Sequence, residues 1–93
     1  MKIELFGHLR YELKATSIEV RVDGKVSLKD LLKALPSPLR EQLLDEYGSI
    51  KPNVMILVND VDARTVYNYE ILVSDSDRIA LVPMIHGGIN SHV

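Results

Sequence analysis

The chain contains no cysteine. It can therefore form no disulfide, no thiolate metal site and no sulfur nucleophile of its own. A protein that needs no disulfide suits a reducing compartment, and we expect this one to be cytoplasmic.

Long apolar runs and charge of a single sign are also missing. No apolar stretch approaches the ~20 residues that span a bilayer, and Met1-Lys2 leads directly into an alternating pattern instead of a leader segment. The formal charge of −2 is spread over interspersed acids and bases, so neither a basic nucleic-acid surface nor an acidic disordered tail is indicated. We expect a soluble, unexported protein that binds no membrane and no nucleic acid directly.

The polar residues form no pattern typical of a catalytic or metal site. His8, His86 and His92 include no i, i+4 pair on a regular element, so no metal site is predicted. The acid pairs at positions 60 and 62 and at 75 and 77 lack the glycine and distal glutamate of a calcium loop, and they indicate turns. With no nucleophile or acid–base constellation, we expect a protein that is not an enzyme and holds no cofactor.

Alternation and short apolar runs predict the strands. Residues 2–6 and 18–22 alternate and predict a hairpin with a long loop. Residues 54–58 and 79–84 are apolar runs short enough to be strands. Residues 64–72 predict a loop with a short edge strand near 69–72.

Two helices are predicted between these strands. Leucines at positions 28, 31, 32 and 35 give one apolar face to a helix over 28–35, with Ser27 as its cap and Asp30 in its first turn. A second short helix is predicted to begin at Pro38, with Ser37 as its cap and Gly48 as its stop signal.

This order of elements predicts one α+β domain. A hairpin, a helix and a crossover to a parallel neighbour give a mixed sheet of four to five strands, with one main helix packed on one face. A domain of 93 residues buries roughly 60–65% of its unfolded surface, enough for a single core. We expect the domain to occupy residues 1–86 and a flexible tail to occupy residues 87–93.

One helical layer leaves the other sheet face open. The strands at 54–58 and 79–84 are apolar on both of their faces, so apolar side chains are expected on the open face as well. If Ile79 and Leu81 lie under the helix with Ile3 and Leu5, then Phe6, Ala80 and Val82 lie on the open face. The strand over 54–58 adds either Met55 and Leu57 or Val54, Ile56 and Val58 to that face. Such a surface indicates a docking site, unless the second helix and the loops cover it.

The end of the sequence is uncharged. From Ile79 onward there is no Asp, Glu, Lys or Arg, and this stretch contains the pair Gly87-Gly88. Glycine lets another molecule approach the backbone closely, so the pair suits insertion into a narrow crevice. The pair also fits the simpler role of ending the last strand.

Several short pieces of sequence occur in the order found in a known family. They are Phe6-Gly7 with Leu9-Arg10, Val26-x-Leu28-x-x-Leu31-Leu32, Val58-Asn59, Asp75-x-Asp77 before residues 79–83, and His86-Gly87-Gly88. Together they resemble the ubiquitin-like β-grasp sulfur carriers, particularly the small subunit of molybdopterin synthase, and in the tail the ubiquitin-related modifier that serves tRNA thiolation. The resemblance covers residues 2–88 and implies a ubiquitin-like β-grasp fold.

The resemblance implies a carrier or modifier whose terminal glycine is chemically activated. A ubiquitin-activating-type adenylyltransferase would adenylate Gly88 and convert it to a thiocarboxylate, with ATP and magnesium supplied by that partner. The sulfur would pass to the molybdopterin synthase large subunit or to a tRNA thiolation enzyme, or Gly88 would be joined to lysines. Residues expected to enter the partner's active site are Ile85, His86 and Gly87, and those expected on the docking face are Phe6, Leu57, Ala80, Val82 and Met84.

Three departures from the family pattern are present. Ser76 replaces the usual glycine between two acids, and Met84-Ile85-His86 replaces Pro-Val-Ser, with His86 resembling the modifier branch. Residues 89–93 follow the glycine pair, where these carriers normally end, so we expect a protease to remove them. The alternative is a non-conjugating β-grasp protein-interaction module, because a fold alone does not determine function. A β-grasp iron–sulfur ferredoxin is excluded by the absence of cysteine.

Overall fold

A five-stranded mixed sheet carries the fold in a computed structural model that describes residues 1–84. The predicted tail, together with Ile85 and His86, lies outside the described residues. The elements are, in chain order, β1 (Lys2–Leu5), α1 (Leu9–Leu13), β2 (Ser17–Glu19), β3 (Val26–Ser27), α2 (Leu28–Lys33), α3 (Ser37–Leu43), β4 (Val54–Val58), β5 (Val61–Asp62), α4 (Ala63–Tyr67), β6 (Leu72–Val73) and β7 (Ile79–Pro83).

The last strand occupies the centre of this sheet, whose order is β2-β1-β7-β4-β5. Strand β7 runs parallel to β1 and antiparallel to β4, while β2 and β5 pair antiparallel on the outside. Strands β3 and β6 form a separate two-stranded antiparallel pair. The predicted α+β class with a mixed sheet is confirmed.

The core lies between one face of the sheet and helices α2 and α3. The sheet contributes Ile3, Leu5, Ile79 and Leu81, all with no exposed surface, as predicted from alternation. On β4 it is Val54, Ile56 and Val58 that are buried, so Met55 and Leu57 point to the opposite face. The core leucines of α2 and α3 are Leu28, Leu31, Leu32, Leu39 and Leu43, and Leu35, which follows the end of α2 at Lys33, joins them.

The two predicted helices are present, but only one begins as predicted. Ser27 Oγ accepts a hydrogen bond of 3.1 Å from the backbone N–H of Asp30, which confirms the cap of α2. The cap predicted for α3 is wrong, because Ser37 is already helical behind Pro36 and its hydroxyl donates to Glu41 Oε2 at 3.3 Å. Helix α3 also ends before Gly48, since Leu44 turns to an extended conformation and bridges to Ile50.

The structure contains a short helix where the sequence predicted a loop over 64–72. Helix α4 is capped by the Asp62 carboxylate, which accepts from the Arg64 N–H at 2.9 Å, and it ends at Asn68 in the left-handed conformation with φ 52°. A helix of this length buries only Ala63, so it leaves no periodic apolar pattern to read. The predicted edge strand is shifted to β6, and it pairs with β3 instead of the main sheet.

The long loop of the first hairpin likewise contains a helix, α1, held to the core by the buried Leu9 and ended by Lys14 with φ 53°. The second strand is shorter than the predicted 18–22, because β2 stops pairing at Glu19.

No helix among residues 1–84 has the length and apolarity needed to cross a bilayer.

Candidate functional site

Strand β7 leads the chain out of the middle of the sheet. The Phe6 N–H donates to the Leu81 carbonyl at 3.1 Å on one side, and the Met84 N–H donates to the Asn53 carbonyl at 2.8 Å on the other. The backbone is therefore hydrogen-bonded as far as Leu81 on the β1 side and as far as Met84 on the β4 side. The described chain therefore ends at the end of the central strand, between β1 and β4.

The sheet face opposite the helices is apolar around this exit. Met55 lies directly opposite Val82, and Leu57 lies opposite Ala80, which has Glu4 on its other side. The apolar residues of this open face are Phe6, Met55, Leu57, Ala80, Val82 and Met84. All are half-buried except Ala80, which is only 8% exposed and so adds little surface.

The structure thus brings together the five residues predicted for the docking face and adds Met55 to them. Every residue of β4 is apolar, so the sequence does not decide whether Met55 and Leu57 or Val54, Ile56 and Val58 lie on the open face. The register with β7 decides it. Helix α3 does not cover this face, since Leu39 and Leu43 have no exposed surface and pack in the core on the other side. Whether the face binds a partner stays a prediction at this point.

A cation–π contact holds the aromatic ring of the open face. Arg10, on α1, donates from Nε to the Leu5 carbonyl at 2.8 Å. Its guanidinium carbon lies 5.2 Å from the centre of the Phe6 ring. No sequence pattern indicates a role for Arg10, because its contact with Phe6 depends on the short helix α1, which the sequence did not predict.

Gly7 and Pro83 pack against each other where β7 leaves the sheet. Gly7 has φ +57°, and a Cβ added there would lie 2.7 Å from the Pro83 Cγ atom. This residue therefore has to be glycine for its backbone conformation and also for its contact. The contact joins the Phe6-Gly7 piece to the apolar strand that precedes the tail.

We predict that Gly7→Ala destabilises the protein more than Gly24→Ala. Gly24 has a similar φ of +69° but nothing within 4 Å of its added Cβ. Gly24→Ala should therefore lower the free energy of unfolding only by the cost of the left-handed backbone, about 1 kcal/mol. Gly7→Ala must in addition displace Pro83, which we expect to cost a further ~1–3 kcal/mol. Urea unfolding of the two variants measures the difference, and equal losses would contradict the contact.

A hydrogen-bond network fixes the other end of β7. The Asn59 side chain accepts from the Arg78 N–H at 2.8 Å and donates to Asp77 Oδ1 at 2.9 Å. The second oxygen of Asp77 accepts from the Ser74 N–H at 2.8 Å, and Asp75 accepts from the Val22 N–H at 3.0 Å. The turn before β7 is thereby tied to the turn after β4, which gives the Val58-Asn59 and Asp75-x-Asp77 pieces a structural role.

These hydrogen bonds favour the ionised carboxylates. Donation by the Asn59 amide, followed by the Ser74 N–H, lowers the pKa of Asp77. Donation by the Val22 N–H is the main cause that lowers the pKa of Asp75.

We predict an acid-labile stability that depends on Asp77. A folded-state pKa below the unfolded one stabilises the fold above the unfolded pKa of about 4, and this contribution is lost as the pH falls through the folded value. Asp77→Asn should lower the melting temperature near neutral pH. Between pH 6 and about pH 3, the melting temperature of this variant should fall by less than that of the wild type. Asp23→Asn, at an exposed turn, is the control and should keep the wild-type slope. Parallel curves for wild type and Asp77→Asn would refute the prediction.

His8 lies on the surface, with Nε2 3.2 Å from Gln42 Oε1. The other two histidines of the chain lie outside the described residues. Within residues 1–84 no group of three His, Cys, Asp or Glu side chains is placed to hold a metal ion.

A sequence model of the Urm1 (ubiquitin related modifier) family matches residues 1–88. The chain belongs to the Urm1 family. The match ends at Gly88, so residues 89–93 lie outside the segment that the family shares.

Individual relatives agree with this membership. The chain is 30% identical over 94 residues to the ubiquitin-related modifier 1 homolog of Dictyostelium discoideum, covering 95% of this chain and 98% of that protein. It is 39% identical over 49 residues to the ubiquitin-related modifier 1 of Laccaria bicolor, a match that spans 53% of this chain and 40% of that protein.

Solved structures share the fold. The crystal structure of Sulfolobus solfataricus Urm1 superposes with a TM-score of 0.65 at 27% identity, and the match covers 90% of this chain and 100% of that chain. SAMP1 from Haloferax volcanii superposes with a TM-score of 0.79 at 24% identity, covering 94% and 97% of the two chains. The Urm1-family chain thus has the predicted ubiquitin-like β-grasp fold, and its resemblance to the ubiquitin-like sulfur carriers and modifiers is confirmed.

Proposed function

We propose that Gly88 of this ubiquitin-like carrier and modifier is the residue that a ubiquitin-activating-type enzyme adenylates. The observation that carries the proposal is that the central strand ends within an apolar sheet face, at one end of the sheet. In the sequence, the family match stops at Gly88, four residues after Met84.

The chemistry requires a slim and uncharged approach to the nucleotide. A free carboxylate at Gly88 attacks the α-phosphorus of ATP and releases pyrophosphate. Hydrosulfide then attacks the acyl carbon, a C–S bond forms and the C–O bond to AMP breaks, which leaves a thiocarboxylate. Ile85, His86 and Gly87 enter the crevice ahead of Gly88, where a bulky or charged residue would clash or lose its hydration. The partner supplies ATP, magnesium and sulfur, so this chain needs no catalytic residue.

The open face docks against the activating enzyme while the tail reaches its active site. Apolar side chains lie around the end of β7, and they belong to Phe6, Leu57, Val82 and Met84. Ala80, on β7, lies beside Leu57 on the same face. Burying such side chains gives most of the affinity of an interface, about 25 cal/mol per Å² of apolar surface before costs. Arg10 supports the same surface by holding the Phe6 ring.

We predict that Val82→Asp weakens association with the activating enzyme by about tenfold or more, because the charge must lose water in an apolar contact. The fold should persist, since Val82 is half-buried on the open face and not in the core. Leu72→Asp is the matched control, as Leu72 is 60% exposed in the separate β3–β6 pair. Calorimetric titration of each variant measures binding, and circular dichroism checks the fold. Equal affinities for wild type and Val82→Asp would exclude this face.

Adenylation also requires that residues 89–93 be removed. In the encoded chain the carbonyl of Gly88 belongs to a peptide bond with Ile89, which offers no carboxylate to ATP. We propose that a protease cleaves this bond, because the segment 89–93 is short and uncharged and its removal cuts nothing within residues 1–84.

We predict that only the chain ending at Gly88 is activated. The full-length chain, a chain ending at Gly88 and the same shortened chain with Gly88→Ala would each be mixed with ATP and the activating enzyme. Pyrophosphate should be released with the Gly88-ended form, little with the alanine variant, and none with the full-length chain. Adenylate formation at Val93 would refute processing, and no activation of any form would favour a non-conjugating interaction module.

The destination of the activated glycine follows the same chemistry. A thiocarboxylate can donate sulfur to a tRNA thiolation enzyme or to a molybdopterin synthase large subunit, and an activated carbonyl can acylate a lysine of another protein. Membership of the Urm1 family and His86 before the glycine pair favour the modifier and tRNA thiolation branch. The intact mass of the protein from its native cells, ending at Gly88 and heavier by the exchange of oxygen for sulfur, would identify the carrier form.

A further inference from the structure

The open face contains two of the chain's three methionines. Met1 belongs to the hydrophobic core and is 8% exposed, whereas Met55 and Met84 are half-buried on the open face. Met55 lies opposite Val82, and the Met84 N–H bonds to the Asn53 carbonyl, so Met84 sits one step farther along the same face. Residues in this diagonal relation lie about 7–8 Å apart.

Methionine sulfur is the only side-chain sulfur in this chain, because cysteine is absent. A thioether is oxidised by peroxides without prior ionisation, and access to solvent decides which methionine reacts. We propose that Met55 and Met84 are sites of oxidation by a hydroperoxide, and that their conversion to sulfoxides detaches the protein from its activating enzyme. This inference rests on the docking role proposed above for the open face.

The reaction needs only the peroxide as co-reactant. A lone pair of the thioether sulfur attacks one peroxide oxygen, an S–O bond forms and the O–O bond breaks. Hydrogen peroxide leaves as water, or an organic hydroperoxide as the alcohol. Sulfur loses two electrons and the peroxide gains them, so the step is balanced.

The sulfoxide changes the surface in a way that opposes docking. Methionine is flexible and apolar, and it adapts to a partner's shape, whereas its sulfoxide is polar and must lose hydrogen bonds to water when an apolar partner covers it. Met55 contacts the central strand at Val82, so the change occurs in the middle of the face. Met1 should stay reduced because the core excludes the oxidant.

The first experiment measures the modification alone. The folded full-length chain is treated with hydrogen peroxide, and peptide mass mapping follows the gain of one oxygen at each methionine. We expect Met55 and Met84 to react about tenfold or more faster than Met1, and unfolding in urea to remove the difference. Equal rates in the folded chain would overturn the assignment of the two sites.

The second experiment measures binding of the full-length chain to the purified activating enzyme from the same cells. Peroxide treatment should weaken binding of the wild type by about tenfold, and methionine sulfoxide reductase with dithiothreitol should restore it. The Met55→Leu, Met84→Leu double variant is compared with its own untreated form, and its affinity should not change on peroxide treatment. Circular dichroism before and after treatment checks that the fold is kept.

The outcomes separate this inference from the proposed docking role. Unchanged binding after both methionines are oxidised overturns the inference and leaves the docking face standing. An equal loss in the double-leucine variant also overturns it, because the damage then lies elsewhere. Failure of the untreated chain to bind, with Val82→Asp no different, overturns the docking face and the inference with it.

Discussion

The two-sided pairing of β7 is the constraint on which the rest of the structure depends. As the central strand it must satisfy its backbone with β1 on one side and β4 on the other, so its position and register are over-determined. Its alternate side chains consequently serve two surfaces. Ile79 and Leu81 enter the core, while Ala80 and Val82 face outward.

Both ends of β7 are reinforced by residues distant in sequence. The polar network of Asn59, Asp75 and Asp77 holds its beginning, and the contact of Pro83 with Gly7 holds its end. Contacts with distant parts of the chain therefore hold β7 at both ends, and Arg10 packs over the Phe6 ring beside it. For the activation that we propose at Gly88, a strand end held on both sides reduces the entropy that is lost when the following residues enter a partner.

Prediction from the sequence was most successful where a periodic pattern extended over several turns or a whole strand. The leucine face of α2 with its Ser27 cap and the outward positions of Phe6, Ala80 and Val82 were all predicted correctly. It failed at α1 and α4, because helices of five residues bury a single side chain each and are held by tertiary contacts. Ser37 was misread because a hydroxyl before Pro38 fits a cap and a first helical turn equally well.

The sequence by itself determined the α+β class, the order of the main strands and helix, and the family pattern that ends in Gly-Gly, because these depend on local periodicity and on residue identity. Only the tertiary structure decided which alternate residues of β4 lie on the open face. Every residue of Val54–Val58 is apolar, and the choice follows from the register of β4 with β7. The tertiary structure also decided that Gly7 meets Pro83 and that Arg10 covers Phe6. Such contacts join elements far apart in the chain or depend on short helices, so no local pattern of residues encodes them.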